Sequence, residues 1–490
     1  MRRSTADDAE FDCPATPRAE TFAAADKKVL FVTPEMSDFV KVGGLGLVSA
    51  ALPRALCKFT DTRVLIPGYR EVLEAGRTIE IVGDLPGLAD VPPCQVARMT
   101  TRDGLVIYAL VCPELYWRDG APYADARGVA WRDSDIRFAR LSLAAAQMAG
   151  GLGDRSWTPE LLHLNDWPTG LAAGYVEWLG LRTPTVLTIH NLAYQGVFAP
   201  ERLGALGVPE SAFSLHGVEF YGSLSYLKTG IYYASHVTTV SQTYAREITH
   251  QETGCGLHGL LAGRASEGRL TGILNGIEDD WGDAPATDSG EAAAWKHANA
   301  EAVRQSFGLA VGRGPLFSII SRLVHQKGVD LAIEASDEIV SRGGQIVVTG
   351  RGEKRFEDAV LMLQRRHPGA VGAHIGFDDA QAQRIYAGSD FLLMPSRFEP
   401  CGLSQMYALK SGALPIAHRT GGLIDTIEDG LTGFLFNTPS REGLTSAVRR
   451  AISAFSVGGH IRAMRRRAMS RNFAWTRSAH RYQTVYQSLG

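Results

Sequence analysis

The chain has 490 residues, 45% of them hydrophobic, and its 50 Lys+Arg against 52 Asp+Glu leave a formal net charge of −2. Single cores stop growing at about 250–300 residues, so two domains are expected. The balanced charge gives no electrostatic case for nucleic acid or an anionic membrane as partner, and no apolar run approaches the ~20 residues needed to cross a bilayer.

Residues 1–26 read as a disordered, polar, Ala-rich tail. No apolar stretch follows Arg2 and Arg3, and Asp7, Asp8, Glu10 and Asp12 are unlike a transit peptide. Order is expected from Lys27, with Val29–Thr33 as a buried parallel strand ended by Pro34. A loop with Lys41, Gly43, Gly44 and Gly46 follows. Then comes a helix over Leu47–Leu56 that contains Pro53, completing the opening unit of a doubly wound sheet. Further strands are expected at 62–66, 106–111, 161–164, 185–188 and 236–240, with helices such as 136–148 and 224–233 between them. Two strands near 80–100 form an antiparallel excursion.

Asp279–Gly314 is rich in Ala, Asp, Glu and Gly and holds one helix-like piece, Glu291–Phe307. The linker falls there. This gives a first Rossmann-like domain over 27–280, a linker over 281–314, a second Rossmann-like domain over 315–465 and a closing segment over 466–490 that packs back toward the first domain. Strands of the second series are expected at 316–321, 345–349, 372–375, 391–395, 414–417 and 433–436, with helices at 328–342, 355–366 and 380–388. The last helix covers 476–489. The fold class is therefore α/β, two doubly wound domains facing a cleft at the C-terminal ends of their strands, where open sheets bind ligands. The six cysteines (Cys13, Cys57, Cys94, Cys112, Cys255, Cys401) never take CxxC spacing, so they suggest no metal ribbon and fit a reducing cytoplasm.

The candidate chemistry lies at strand ends. Gly43, Gly44 and Gly46 allow close backbone approach to a ligand, and the helix behind them offers free N–H groups to an anion, with Lys41 adding charge. A tight turn without a ligand explains the glycines equally well. Arg322 and Lys327 share one loop and could grip a diphosphate, or could be two solvated cations. Glu399 ends an apolar strand before Pro400-Cys401-Gly402-Leu403; it is placed to meet a sugar, or merely to begin a helix. Arg419-Thr420-Gly421-Gly422 repeats the strand–glycine–helix theme. In the first half, His163-Leu164-Asn165-Asp166-Trp167 and Thr188-Ile189-His190-Asn191-Leu192 end apolar strands with polar groups. Trp167, Tyr194, Tyr116 and Trp117 could stack on sugar faces or fill a core. There is no nucleophile elbow, no P-loop and no DxD pair between apolar strands that would hold a metal–diphosphate. The residues alone reach a two-domain α/β protein with an anion-binding cleft, and no substrate.

Together these segments resemble the glycogen and starch synthases: KVGGLG at 41–46, HLNDW at 163–167, TIHNLAYQG at 188–196, SYLKTGIYYASHVTTVSQTYAREI at 225–248, LNGI at 274–277, SRLVHQKG at 321–328, PSRFEPCGLSQMYALKSG at 395–412 and RTGGLIDT at 419–426. The resemblance runs from about Lys27 to the C-terminal end, in the family's order. It implies a GT-B arrangement, a cytoplasmic enzyme with no cofactor and no catalytic metal, and transfer of glucose with retention from ADP-glucose to glycogen or another α-1,4-glucan. It also implies roles. Arg322 and Lys327 hold the diphosphate, and Lys41, Gly43 and Gly44 meet the donor from the other domain. Glu399 contacts the donor glucose, with His190 and Asp166 near the sugar and Phe377 against the base. Cys401, Gly402, Leu403, Thr420, Gly421 and Gly422 line the donor, and Asn165, Trp167, Asn191 and Tyr194 lie on the acceptor side. The sequence departs from the family at Leu47, Pro168 and Glu278, where an acid, a His and an Asp are usual. Two alternatives remain open: another retaining transferase of this fold, of the sucrose or trehalose type, and a non-catalytic glucan-binding protein.

Overall fold

Strands buried on both faces need apolar side chains on both, and this is what the short runs supply. Val29, Leu30, Phe31 and Val32 are all fully buried, and each such side chain contributes about 1.5–3 kcal/mol by leaving water. In a computed structural model, which describes residues 27–75, 78–278, 281 and 290–490, these runs assemble into two large sheets. The first has nine strands in the order Leu270–Gly272, His236–Thr239, Thr185–Ile189, Leu161–Asn165, Lys28–Val32, Asp61–Pro67, Val106–Val111, Cys94–Thr100 and Glu80–Leu85. Its first seven members are parallel and the last two join antiparallel, the excursion expected near 80–100. The second sheet has six parallel strands in the order Val371–Ile375, Gln345–Gly350, Leu316–Ile320, Phe391–Met394, Leu414–His418 and Phe434–Phe436.

Each sheet has a point where the strand order reverses direction. In the first, Lys28–Val32 has Asp61–Pro67 on one side and Leu161–Asn165 on the other. In the second, Leu316–Ile320 stands between Gln345–Gly350 and Phe391–Met394. Crevices open beyond such points, and the loops that leave them carry Lys41, Asp166, Arg322, Lys327 and Glu399.

The helix after the first strand spans Gly44–Leu56 and keeps Pro53 in its last turns. The expected helix at 224–233 begins later. Ser223–Ser225 is a strand, and the Ser225 hydroxyl accepts from the Lys228 amide at 3.2 Å to start the helix Tyr226–Tyr233. That strand pairs antiparallel with Val197–Phe198 and Glu219–Phe220 in a small third sheet.

The chain passes between the two large sheets twice. The first crossing contains the helix Gly290–Ser306; the expectations for the tail 1–26 and for linker residues 279, 280 and 282–289 lie outside the described residues. The second crossing leads to the helix Trp475–Gln487, which packs on the helix Gly44–Leu56. It is pinned by the Ile277 amide donating to the Phe473 carbonyl at 2.9 Å, the Ser478 hydroxyl donating to the Leu274 carbonyl at 2.6 Å, and a 2.6 Å hydrogen bond between the Tyr486 hydroxyl and His163 Nδ1. Among the described residues no helix is long and apolar enough to cross a membrane.

Candidate active site

Adjacent parallel strands bring residues distant in sequence to one sheet end. Lys327 follows the strand Leu316–Ile320 and Glu399 follows Phe391–Met394. Their side chains form a 2.5 Å ion pair, with only 18% and 6% of the respective side-chain surfaces exposed. The Ser396 hydroxyl donates to the same Glu399 oxygen at 3.0 Å. Arg322, on the loop with Lys327, is exposed, and its guanidinium has no partner among the described residues. The segment after Glu399 is held from beneath. The Gly422 amide donates to the Glu399 carbonyl at 3.0 Å, and a Cβ on Gly421, whose φ is +44°, would drive into that same carbonyl oxygen. Cys401 is buried, and burial pushes its thiol up to about 12, so a neutral thiol lies under the loop. Gly402 takes φ +72°, and both it and Leu403 remain partly exposed.

The first sheet contributes a second cluster. Asp166 sits at φ 57°, ψ −175°, a region almost reserved for glycine, and such strain is of order 1–3 kcal/mol and gathers at functional sites. Its Oδ1 accepts from the His190 amide at 2.7 Å and the Asn191 amide at 3.4 Å, so it shapes the loop that carries His190. His190 Nε2 lies 2.9 Å from Asn165 Oδ1. Asn165 uses its amide nitrogen on the Val32 carbonyl, so its oxygen accepts and His190 Nε2 carries the proton. Burial lowers the His190 pKa to about 3, which leaves a neutral ring whose Nδ1 is an acceptor. One expectation is corrected here. Asn165 is fully buried and reaches the cleft only through His190. Trp167 is half-buried, packed edge-on to Phe138 at 4.9 Å and near Phe198 at 6.0 Å. The Asn191 side chain accepts from the Ala193 amide at 3.1 Å, and Tyr194 is 50% exposed.

The glycine loop depends on a residue that its motif does not reveal. Glu35, 3% exposed, accepts from the Val42 amide at 2.7 Å and the Gly43 amide at 3.2 Å, and Tyr123 donates to its other oxygen at 3.4 Å. Burial raises the Glu35 pKa. A Cβ on Gly43 or Gly44 would meet nothing within 4 Å. Packing within the chain therefore does not demand glycine there, and the helix beginning at Gly44 has no side-chain cap. Open space before uncapped amides is what an approaching anion needs.

The two halves face each other. Lys41 Nζ lies 3.2 Å from Asp379, two residues after Phe377, which is 65% exposed. The Ser241 hydroxyl donates to the Pro400 carbonyl at 2.6 Å. Thr243 donates its amide and hydroxyl to Asp425 at 3.0 and 2.6 Å. Glu247 accepts from the Gly421 amide at 2.9 Å and the Thr420 hydroxyl at 3.2 Å. Glu247 and Asp425 thus bridge the sheets' domains, a role that the VSQTYAREI and RTGGLIDT segments contain but do not announce.

Comparison with known proteins follows the same two halves. The family model described as the starch synthase catalytic domain matches residues 28–263, and that of glycosyl transferases group 1 matches 304–464. Glycogen synthase 1 of Bradyrhizobium diazoefficiens is 55% identical over 459 residues, covering 93% of this chain and 99% of the relative. The chain belongs to the glycogen and starch synthase family. The glycogen synthase of Pseudomonas putida is 54% identical over 470 residues, covering 94% of this chain and 90% of that one. The catalytic domain of starch synthase IV from Arabidopsis thaliana, solved bound to ADP and acarbose, superposes with a TM-score of 0.83 at 29% identity, covering 95% of this chain and 99% of that domain. At 16% identity, the sucrose-phosphate synthase of Thermosynechococcus elongatus, TM-score 0.60, shares the fold alone; it covers 94% of this chain and 99% of its own. As a member of this glycogen and starch synthase family, the chain is a glycosyltransferase with two Rossmann-like domains in the GT-B arrangement.

Asp166 gives a pH test of this synthase site. Burial raises its pKa to about 7, against the two amide hydrogen bonds that lower it. The unfolded carboxyl titrates near about 3.9, so the folded chain holds this proton more tightly. The stability this group contributes is complete below pH ~4 and is lost as the pH rises to 7. Thermal midpoints of the wild type should therefore fall more steeply over that window than those of Asp166→Asn. Parallel slopes would remove Asp166 as their cause.

Proposed function

We propose that this chain transfers glucose from ADP-glucose to the non-reducing end of glycogen or another α-1,4-glucan, with retention of configuration, in the cytoplasm. The observation that carries the reading is the buried Lys327–Glu399 pair at the end of the second sheet, with unpaired Arg322 on the Lys327 loop, while Lys41 of the first domain reaches across to Asp379, two residues after Phe377. Cleaving the bond between glucose and a diphosphate builds negative charge on phosphate and positive charge at the anomeric carbon. Fixed cations stabilise the first, and in many enzymes such preorganised charge lowers the barrier more than any other effect. Arg322 is unpaired and Lys327 needs only to exchange Glu399 for phosphate, which frees the Glu399 carboxylate toward the sugar. The Gly43–Gly44 loop, shaped by Glu35 on the Gly43 amide, meets the donor from the opposite side, and Phe377 offers a face to the base. Neutral His190 hydrogen-bonds the sugar, and Asp166 holds that loop in place. The leaving diphosphate accepts the acceptor's proton, so no protein base is required. The five described cysteines are free, which suits the reducing compartment proposed.

Because arginine and lysine neutralise the diphosphate in this scheme, EDTA should leave the transfer rate nearly unchanged. Complete loss, restored by magnesium or manganese, would overturn it. The deciding experiment is transfer of radiolabelled glucose from ADP-glucose and UDP-glucose to glycogen, with the product's anomeric linkage analysed. Transfer to a small acceptor such as a fructose phosphate instead would favour a synthase of the sucrose type. Glucan binding without transfer would leave a non-catalytic protein.

A further inference from the structure

Tyr221 is the most conspicuous side chain outside the site. It is 79% exposed, and with Gly222 it forms the two-residue turn between the paired residues Phe220 and Ser223. The φ angles of Tyr221 and Gly222 are +49° and +81°. Two left-handed residues in a two-residue hairpin make a type I′ turn, whose first position strongly favours Asn, Asp or Gly. A bulky aromatic there is a backbone outlier. The ring contributes almost nothing to the core, so the fold gains little in return for this strain, and strain held at an exposed position points to a ligand.

The ring is also supported. It stands edge-to-face with Phe220, centroids 4.8 Å apart. A Cβ at Gly256 would come within 3.0 Å of Tyr221 and 3.1 Å of Phe220, so a bare stretch of backbone lies against both rings. The residue before it, Cys255, also takes a positive φ of 48°, and its carbonyl accepts from Gln195 Nε2 at 2.8 Å. Gln195 follows Tyr194 on the His190 loop, and Val197, 47% exposed, begins the strand beside this hairpin. The Cys255–Gly256 segment against the Tyr221 ring is thus tied by one hydrogen bond to the segment assigned to the acceptor side, and Val197 beside the hairpin is exposed.

We propose that Tyr221 is a stacking platform for the glucan acceptor, holding a glucose unit of the chain well behind the end that receives glucose. This rests on the acceptor reading of Tyr194 and Asn191 above. The occupant is a linear α-glucan, whose sugar rings present apolar C–H faces to an aromatic and whose length lets it continue from the cleft over the hairpin. The platform acts on long acceptors and leaves the chemistry alone.

The test uses the full chain with Tyr221→Gly, Tyr221→Ala and Tyr221→Phe. The glycine variant removes the ring while relieving the turn, so its thermal midpoint should hold or rise. Both Gly and Ala variants should raise half-saturation by glycogen about three- to ten-fold, the range an aromatic contact of this kind supplies. Half-saturation by maltotriose and by ADP-glucose should stay within about two-fold in all variants, and Phe should behave as wild type. On native gels containing glycogen, the wild type should be retarded more than the Gly variant. That readout stands even if the wild type transfers no glucose, an outcome that would sink the proposed function and not the platform. Unchanged glycogen saturation and retardation in the Gly variant would overturn the proposal. So would equal losses toward maltotriose and donor, or a Tyr221-dependent dimer with unaltered glycogen binding.

Discussion

Arg322→Ala should slow glucose transfer by roughly 100–1,000-fold, the loss of about 3–4 kcal/mol of transition-state stabilisation, with little change in thermal midpoint. The guanidinium is exposed and unpartnered among the described residues, so its removal leaves no buried group exposed to a poorer environment. Lys327→Ala should lose activity on the same scale but also destabilise the protein, because it strands the buried Glu399 carboxylate with only the Ser396 hydroxyl. Breaking one side of a buried pair typically costs about 3–5 kcal/mol, while removing both charges can be near neutral. The double variant Lys327→Ala/Glu399→Gln should therefore regain most of the lost stability and none of the activity. Steady-state rates and thermal melts of the four proteins separate the two effects. Near-normal turnover in both single variants would end the assignment of the phosphate grip.

Gly421→Ala should be nearly as damaging from outside the cation cluster. Its methyl group would collide with the Glu399 carbonyl, and φ +44° adds strain for any residue with a Cβ. The neighbour is backbone and cannot rotate away, so the Glu399 loop must shift. A displacement of about 1 Å in a catalytic group is enough for roughly a 100-fold loss. The expected signature is a fall in turnover larger than any fall in thermal midpoint. Full activity would mean that the 419–423 loop does not position Glu399.

Much of this architecture can be read from the residues alone. Val29–Val32, Leu161–Leu164 and Phe391–Met394 are unbroken apolar runs because parallel strands are covered on both faces. Lys327 and Glu399 both stand out as candidates, yet their pairing across 72 residues arises from the adjacency of two strands. The strands of the third sheet are two or three residues long and too short to show a period. Glu35, between Pro34 and Met36, looks like any loop acid; only the return of the chain at Val42 and Gly43 gives it work. Asn165 misleads for a related reason, since a polar residue ending a strand can face a ligand or a neighbouring loop, and here it faces His190.

The helix Trp475–Gln487 has a consequence for how the protein is made. It covers the helix Gly44–Leu56 and caps His163 beneath the strands that end at Asp166 and His190. Yet about 200 residues, including the whole second sheet, separate it from the last strand of the first sheet at Leu270–Gly272. At the usual synthesis rate of about 5–20 residues per second, the first domain waits on the order of 10–40 s on the ribosome before this piece can exist. Throughout that interval the apolar seat of the helix is open to solvent. A chain ending before residue 475 would therefore leave the first domain without the helix that closes its core.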